Sequence, residues 1–244
     1  MATAVRTAPT TKVPMTSTRK TALVAGIFYL ITFISIPTLA LYGNLKTDRS
    51  FVLGSGSDSG VLWGCILEVI VAIAGIGTAV TLFPVVKRQN EGFALGFVAS
   101  RTLEATMIFT GVTSLVSLVH LRHDLGTVGG GDAGALVTNG VSLVSTYNST
   151  FQLGQTLMPS INAVLLGYLM YRSGLVPRII PTLGLIGAPF LMSATLATTL
   201  GHNQPLSAWS ALATLPVALW EFSLGLWLTF KGFKPTPITA AIDA

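Results

Sequence analysis

The sequence has few charged residues, since Lys, Arg, Asp and Glu together make up only 9% of its 244 residues. A typical soluble domain carries about 25%, and a surface so poor in charge could not face water on all sides. Four runs contain no charged residue, and a bilayer span needs about 20 mainly apolar residues. These runs are Thr21–Leu45, Val69–Val86, Ala133–Tyr171 and Ile179–Trp220. The lack of charge excludes an ordinary soluble domain and predicts a protein whose main solvent is lipid.

Cysteine and recognisable catalytic motifs are also scarce. Cys65 is the only cysteine, which excludes a disulfide framework or a cysteine metal site within one chain. The sequence lacks a nucleophile elbow, a P-loop and a dinucleotide-binding fingerprint, so no motif identifies a reaction or a cofactor. His120, His123 and Asp124 lie close together, but their spacing does not match a zinc motif. We therefore predict no metal site and no cofactor, and the sequence favours a protein that is not an enzyme.

The net charge of +5 does not indicate a nucleic-acid partner, because the basic residues lie near the ends of the apolar runs. Membrane proteins carry an excess of Lys and Arg in their cytosolic loops. In the predicted topology, ten of the 14 basic residues lie on one side and three on the other, and Arg101 lies within a span. This bias predicts that both termini are cytosolic in a multi-pass protein of the cell membrane, with the lipid bilayer as its partner.

Six apolar segments are long enough to be predicted as transmembrane helices. The predicted fold class is an all-α, polytopic membrane helix bundle with both termini in the cytosol. The six predicted spans are residues 21–42, 61–86, 92–120, 149–171, 179–200 and 207–230, within a bundle of residues 21–231. Residues 1–20 are predicted to be a disordered cytosolic tail, and residues 232–244 a second cytosolic tail.

Three features of the connections carry further predictions. Pro37 is predicted to kink the first span near its outer end. The Gly-rich segment Gly126–Gly134 is predicted to be a flexible external loop, because consecutive glycines do not support regular structure. Ala135–Tyr147 is predicted to form a short interfacial helix before the fourth span.

Ionisable residues inside a span are rare and are a functional-site hypothesis by default. Arg101 and Glu104 share one face of the third span, because residues three apart in a helix are neighbours. The helical rise places Arg101 about 14 Å and Glu104 about 18 Å from the cytosolic end of the span. Glu221 and Asn162 lie about 15 Å from the corresponding ends of their spans. Since the hydrocarbon core is about 30 Å thick, these four side chains are predicted to form a polar layer near its centre.

Other polar residues extend this prediction. Thr32 and Thr78 fall close to the same level, whereas Glu68, a further candidate site residue, lies about 28 Å from the cytosolic end. An unpaired charge at the centre would cost at least roughly 2.5–3.5 kcal/mol. Arg101 is therefore predicted to lie within ion-pair reach of Glu104, Glu221 or both. Two acids for one arginine leave an acid that can bind a proton.

Several stretches resemble the bacterial DUF4386 family of integral membrane proteins. The similar stretches are Phe51–Val80, Leu82–Ala105 and Leu165–Pro189, which lie within a resemblance from about Arg19 to Lys234. The most specific features are the KRQNE turn at 87–91, the pair of Arg101 and Glu104, and the YRS loop at 171–173. The resemblance implies the fold and the membrane location. It implies no activity, because none is established for the family.

Three functions are compatible with these features. The first is the handling of a small solute, an ion or a lipid, with that molecule bound in the bundle beside the polar layer. The second is an intramembrane enzyme that uses Glu104 or Glu221, although no nucleophile or metal is evident. The third is a structural or interaction scaffold, in which the polar layer is a latch that fixes helix packing. A cavity that reaches Arg101 would favour the first function, and a closed, dry bundle the third. The sequence leaves the oligomeric state open.

Overall fold

The computed structural model describes residues 15–43, 45, 51–54, 57–125, 133–205 and 207–244, and all regular secondary structure in these ranges is helical. In chain order the elements are α1 (Ser17–Ile31), a 3₁₀ helix (Thr32–Ser35), α2 (Thr38–Leu41), a second 3₁₀ helix (Phe51–Leu53), α3 (Ser59–Val86), α4 (Glu91–Leu125), α5 (Ala133–Phe151), a π-helix (Gln152–Leu157), α6 (Met158–Ser173), α7 (Ile179–Thr199), α8 (Ala208–Phe230) and α9 (Pro237–Asp243). Residues 1–14 of the predicted tail and residues 126–132 of the predicted loop lie outside the described ranges.

The prediction of an all-α membrane protein is confirmed at this level of detail. Within the described ranges, four helices are long and apolar enough to cross a membrane, namely α3, α4 as far as His123, α7 and α8. Helix α1 has 15 residues and α6 has 16, which is short for a span. The first and fourth predicted spans therefore depend on the irregular segments that continue these two helices.

Six of the helices form a closed ring, in which each packs against the next in the order α1, α3, α4, α6, α7, α8 and back to α1. We call the end with the turns 87–90 and 174–178 the basic end, and the end with the segments 51–54 and 200–205 the loop end. At the basic end, all six helices contribute to one buried apolar core. A second core at the loop end lies between α3, α4 and α5. The remaining part of the loop end, between the π-helix, α7 and α8, belongs to neither core.

Small residues allow the helices near the basic end to approach one another closely. A Cβ atom on Gly26 of α1 would lie only 2.4 Å from the Thr229 hydroxyl of α8. A Cβ atom on Gly184 of α7 would lie 2.7 Å from the ring of Trp220 in α8. Both glycines therefore make room for a neighbouring helix, and the contacts of α8 with α1 and α7 depend on them.

Helix α1 begins inside the segment that was predicted to be a disordered tail. The Thr16 hydroxyl caps it by accepting a hydrogen bond from the Arg19 amide at 3.3 Å. The hydroxyl and the amide of Thr18 both donate to the Asp243 carboxylate of α9, and these bonds lower the pKa of Asp243 below its usual range. The tail boundary is therefore corrected from residue 20 to Ser17. The sequence could not show this, because the stabilising partner lies 225 residues later.

The first predicted span is irregular before it reaches Pro37. After α1 ends, the chain tightens into the 3₁₀ helix, where the Thr32 hydroxyl donates to the Tyr29 carbonyl at 2.6 Å. The Thr38 hydroxyl donates to the Ser35 carbonyl at 2.7 Å on the other side of Pro37. These hydroxyl groups satisfy carbonyls that the broken helix leaves free. The result is a short irregular segment on the loop-end side of α1.

The predicted interfacial helix and the predicted fourth span form one helical run, which is interrupted only by the π-helix. Pro159 has no amide hydrogen, and its ring clashes with the carbonyl four residues earlier, at Gln155. The Met158 amide instead donates to the Leu153 carbonyl, five residues back, as in a π-helix. The prediction of two separate helices is therefore corrected. Single π-turns inside α-helices are frequent at functional sites.

Candidate functional site

Arg101 lies in the interior of α4, and only 3% of its side chain is exposed. Its Nη1 atom donates to the two carboxylate oxygens of Glu104, one turn later, at 3.3 and 3.1 Å. Its Nη2 atom donates to Oε1 of Glu221 in α8. Arg101 therefore pairs with both acids, as the sequence predicts. Since α4 and α8 are not neighbours in the ring, the second ion pair crosses its interior.

Asn162 of α6 connects a third helix to this group. Its side chain is buried, and Nδ2 donates to Glu104 Oε2 at 2.6 Å. Glu104 thus accepts hydrogen bonds from both Arg101 and Asn162, while Glu221 accepts one from Arg101 alone among the described residues. We call Arg101, Glu104, Glu221 and Asn162 the polar cluster. It joins α4, α6 and α8 at one level of the bundle.

Two aromatic rings lie beside the guanidinium group of Arg101. Its Cζ atom is 5.4 Å from the centre of the Tyr29 ring and 5.8 Å from that of the Phe97 ring. Both distances are within the range of a cation–π contact. Sequence reasoning missed both residues. Phe97 lies four residues before Arg101, so helical spacing could have identified it, whereas nothing in the sequence indicates that Tyr29 of α1 reaches the same place.

The polar cluster carries a formal charge of −1, from one arginine and two glutamates. Two of its buried atoms, Arg101 Nε and Asn162 Oδ1, have no hydrogen-bond partner among the described residues. Leaving a buried polar atom unpaired costs about 1–3 kcal/mol. Such atoms in a folded protein call for an explanation, of which a bound water or ion is a common one.

A cleft of about 180 Å³, which we call the central cleft, borders the polar cluster on its loop-end side. Arg101, Glu104 and Glu221 line it, together with residues of the first 3₁₀ helix, the π-helix, α7 and α8. A second cleft of about 320 Å³, the loop-end cleft, lies between the end of α5, the π-helix, α7 and α8. Leu191 and Thr214 line both clefts, so the two adjoin.

The other predicted polar residues are not members of the polar cluster. Thr32 lines the central cleft, whereas the Thr78 hydroxyl donates to the Gly75 carbonyl within its own helix at 2.7 Å. Glu68 is buried at the loop end, where its Oε1 atom accepts a hydrogen bond from the Tyr147 hydroxyl at 2.7 Å. Glu68 lies about 10 Å by helical rise from Gly75, the residue of α3 that faces the Arg101 side chain. Glu68 thus belongs to a second polar group.

A surface group at the loop end contains one of the histidines considered for metal binding. His123 Nε2 lies 3.0 Å from Asp58 Oδ2, and Arg122 Nη1 pairs with Asp58 Oδ1. Arg122 Nε also donates to the Gly54 carbonyl at 2.7 Å. These contacts hold the start of α3 against the end of α4, which gives the group a structural role.

Comparisons with known proteins give a family and no activity. A family model described as "Domain of unknown function (DUF4386)" matches residues 24–232. The search of curated proteins and the search of solved structures each return no match. The matched region runs from the middle of α1 to the residues just after α8, so it includes every residue of the polar cluster and both clefts.

Proposed function

Because the chain belongs to the DUF4386 family, whose description assigns no activity, we propose from its geometry that it binds a small polar solute or ion at the polar cluster. In this proposal the central cleft is the binding space, and the loop-end cleft is the route by which the ligand arrives. The protein is then a carrier or a receptor for a small molecule, and it performs no covalent chemistry.

The proposal includes a six-span topology. The first span is α1 with its irregular continuation, and the fourth is the π-helix with α6. The other four are α3, α4, α7 and α8, which are long and apolar enough by themselves. The excess of Lys and Arg at the basic end supports a cytosolic location for this end and for both termini. The clefts then face the outside of the cell membrane.

The adjoining clefts are the observation that carries the proposal. Toward the loop end, the polar cluster borders the central cleft and, through Leu191 and Thr214, the loop-end cleft. Toward the basic end, it borders the apolar core, in which Leu82, Leu166 and Leu224 are fully buried. Open clefts on one side and a close-packed core on the other are what a site with one-sided access requires.

The test is the reaction of single cysteines with a membrane-impermeant maleimide added to intact cells. In a Cys65→Ala background, Ala218→Cys places a thiol in the central cleft. Leu219→Cys places one on the adjacent exposed position of the same helix, which faces lipid in the proposed topology. Because maleimides react with thiolates, which form in water and not in lipid, we expect Ala218→Cys to react and Leu219→Cys not to react.

Two further positions test the orientation. His202→Cys, on the exposed turn after α7, should react from outside, and Gln89→Cys, in the turn before α4, should react only after the cells are opened. Reaction of Gln89→Cys in intact cells would reverse the topology. An unreactive Ala218→Cys beside a reactive His202→Cys would show that the central cleft is dry.

A packing latch is the second candidate function, and the ion pair that crosses the ring favours it. Arg101 holds α4 to α8 through Glu221, and Asn162 holds α6 to α4 through Glu104. Buried ionic groups can specify one helix arrangement without chemistry. The same labelling experiment separates the two functions, since a latch requires no water at Ala218.

A further inference from the structure

We propose that the ligand of the central cleft is a small organic cation, a protonated amine with a short apolar part, which pairs with Glu221. This inference rests on the proposed function and specifies its ligand. It follows from the charge of the cleft, from the hydrogen bonds that are already made there, and from the character of the remaining walls.

The charged groups of the cleft exclude an anion as the preferred ligand. The charged residues that line the two clefts are Arg101, Glu104 and Glu221, with a formal sum of −1. Both terminal nitrogens of Arg101 already donate to carboxylates. An anion would therefore meet two carboxylates and an arginine whose two terminal nitrogens already donate hydrogen bonds. A cation would meet an excess of negative charge.

Glu221 is the acid that can accept a further donor. Glu104 accepts hydrogen bonds from Arg101 and from Asn162, and its side chain is 10% exposed. The Glu221 side chain is 14% exposed, and no donor among the described residues reaches its second carboxylate oxygen. Since Glu221 lines the central cleft, that oxygen is available to an ammonium group. A charge-assisted hydrogen bond of this kind is about twice as strong as a neutral one.

The remaining walls of the cleft fit an apolar part of the ligand. Val71, Leu191, Val217 and the aromatic residue Phe33 line the central cleft. An aromatic ring also favours a nearby cation. The loop-end cleft, in contrast, has uncharged polar residues such as Gln152, Gln204 and Ser210. A cation can pass these residues without being held by an opposite charge.

The experiment uses three probes of similar shape and different charge, namely benzylamine, benzyl alcohol and benzoate. Each is added to cells that express the Cys65→Ala, Ala218→Cys protein, and the rate of maleimide labelling is measured. Ala218 and Glu221 are three residues apart and share one helix face, so a ligand on Glu221 shields the thiol. We expect benzylamine to slow the labelling in a saturable manner, and the two other probes to leave the rate unchanged.

A pair of matched variants tests the role of Glu221. With Glu221→Gln, half-protection should need at least about tenfold more benzylamine, because a charge-assisted bond is lost. In this variant Arg101 can still pair with Glu104, so the interior of the bundle retains one ion pair. With Glu91→Gln, an exposed acid at the start of α4, protection should not change. If Glu221→Gln fails to fold, Glu221→Asp replaces it, and a weakened but measurable protection is expected.

The outcomes separate this inference from the proposed function. If Ala218→Cys is labelled but benzylamine protects it no better than benzyl alcohol, the proposed binding site remains supported. The proposal that its ligand is a cation is then wrong. Protection by benzoate also contradicts the proposal of a cationic ligand. Equal protection in Glu221→Gln and in the parent protein contradicts it as well. If Ala218→Cys is not labelled at all, while His202→Cys is labelled, the proposed function itself fails.

Discussion

The two ends of the bundle differ in regularity and in packing. At the basic end, all six ring helices are regular and share an apolar core in which many residues are fully buried. At the loop end, α1 passes into a 3₁₀ helix, and a π-helix precedes α6. The two clefts lie between these irregular segments, α7 and α8.

The difference shows how one helical ring can be closed at one end and accessible at the other. Regular helices with small residues at their contacts pack without space for water, as at Gly26 and Thr229. Where the backbone departs from the α-helix, side chains no longer follow one packing pattern, and cavities remain. The polar cluster lies at the boundary between the two regimes, with Tyr29 and Phe97 on one side and the central cleft on the other.

Removing the positive charge of Arg101, which lies between the basic-end core and the central cleft, should have the largest effect on stability. Arg101→Ala leaves the carboxylates of Glu104 and Glu221 buried without their cation, and breaking a buried ion pair in this way costs about 3–5 kcal/mol. The combined change Arg101→Ala and Glu221→Gln should destabilise the protein less, because one of the two buried anions is gone. The free energy of unfolding in detergent measures both. Purely additive effects of the two substitutions on the free energy of unfolding would contradict a coupling between Arg101 and Glu221.

The common level of the polar cluster along its helices is the part of the site that the sequence predicts best. Arg101, Glu221 and Asn162 lie in regular helices, so counting residues from the basic end gives their level from the helical rise alone. The choice of partners follows, since a charge in lipid must be paired.

The irregular half could not be predicted in the same way. Pro159 signals a disturbance of the helix, but a proline can also kink or end a helix, and the sequence does not choose among these results. The sequence does not predict the contact of Glu68 with Tyr147, because Ala135–Tyr147 is expected to form a short interfacial helix. The start of α1 was missed because Asp243 stabilises it from the far end of the chain. Contacts between segments distant in sequence decided the last two of these features.

Truncating one leucine at the centre of the basic-end core and one where this core meets the clefts should compare the packing directly. Leu166 is fully buried in the core of the basic end, and Leu166→Ala should cost about 2–5 kcal/mol through lost contacts and a new cavity. Leu191 belongs to the same core but borders both clefts, so Leu191→Ala should remove fewer contacts and cost an amount near the lower limit of that range. It should also speed the labelling of Ala218→Cys. Equal losses of unfolding free energy would show that the core is packed as closely beside the clefts as at its centre.

The smallest effect is expected at the outer surface of the basic end, where α9 contacts α1. Thr18→Ala removes a donor to Asp243, so hydrogen exchange at residues 237–243 should become faster while the bundle stays folded. Thr21→Ala is the control, because the Thr21 hydroxyl bonds only to the Ser17 carbonyl of its own helix. A faster exchange in both variants would exclude a specific role for Thr18.

Lowering the pH should weaken the same contact between Thr18 and Asp243. The hydrogen bonds from Thr18 lower the pKa of Asp243 in the folded protein. Its contribution is therefore present above the ordinary aspartate value of about 4, and it is lost as the pH falls through the lower, folded value. The protection factors at residues 237–243, which correct for the slower intrinsic exchange in acid, should fall with acidification, and Asp243→Asn should remove this dependence. If the pH response persists in Asp243→Asn, another titrating group causes it.

The arrangement of the ion pairs has a consequence for how the protein enters the membrane during synthesis. Glu104 is one turn from Arg101, whereas Glu221 follows 120 residues later. At about 5–20 residues per second, α8 emerges about 6–24 s after α4. Glu104 therefore neutralises Arg101 during this interval, and α4 can enter the bilayer before its distant partner exists. We expect Glu104→Gln to lower the insertion of a chain that ends before α8, which a glycosylation-mapping assay of its loops would measure.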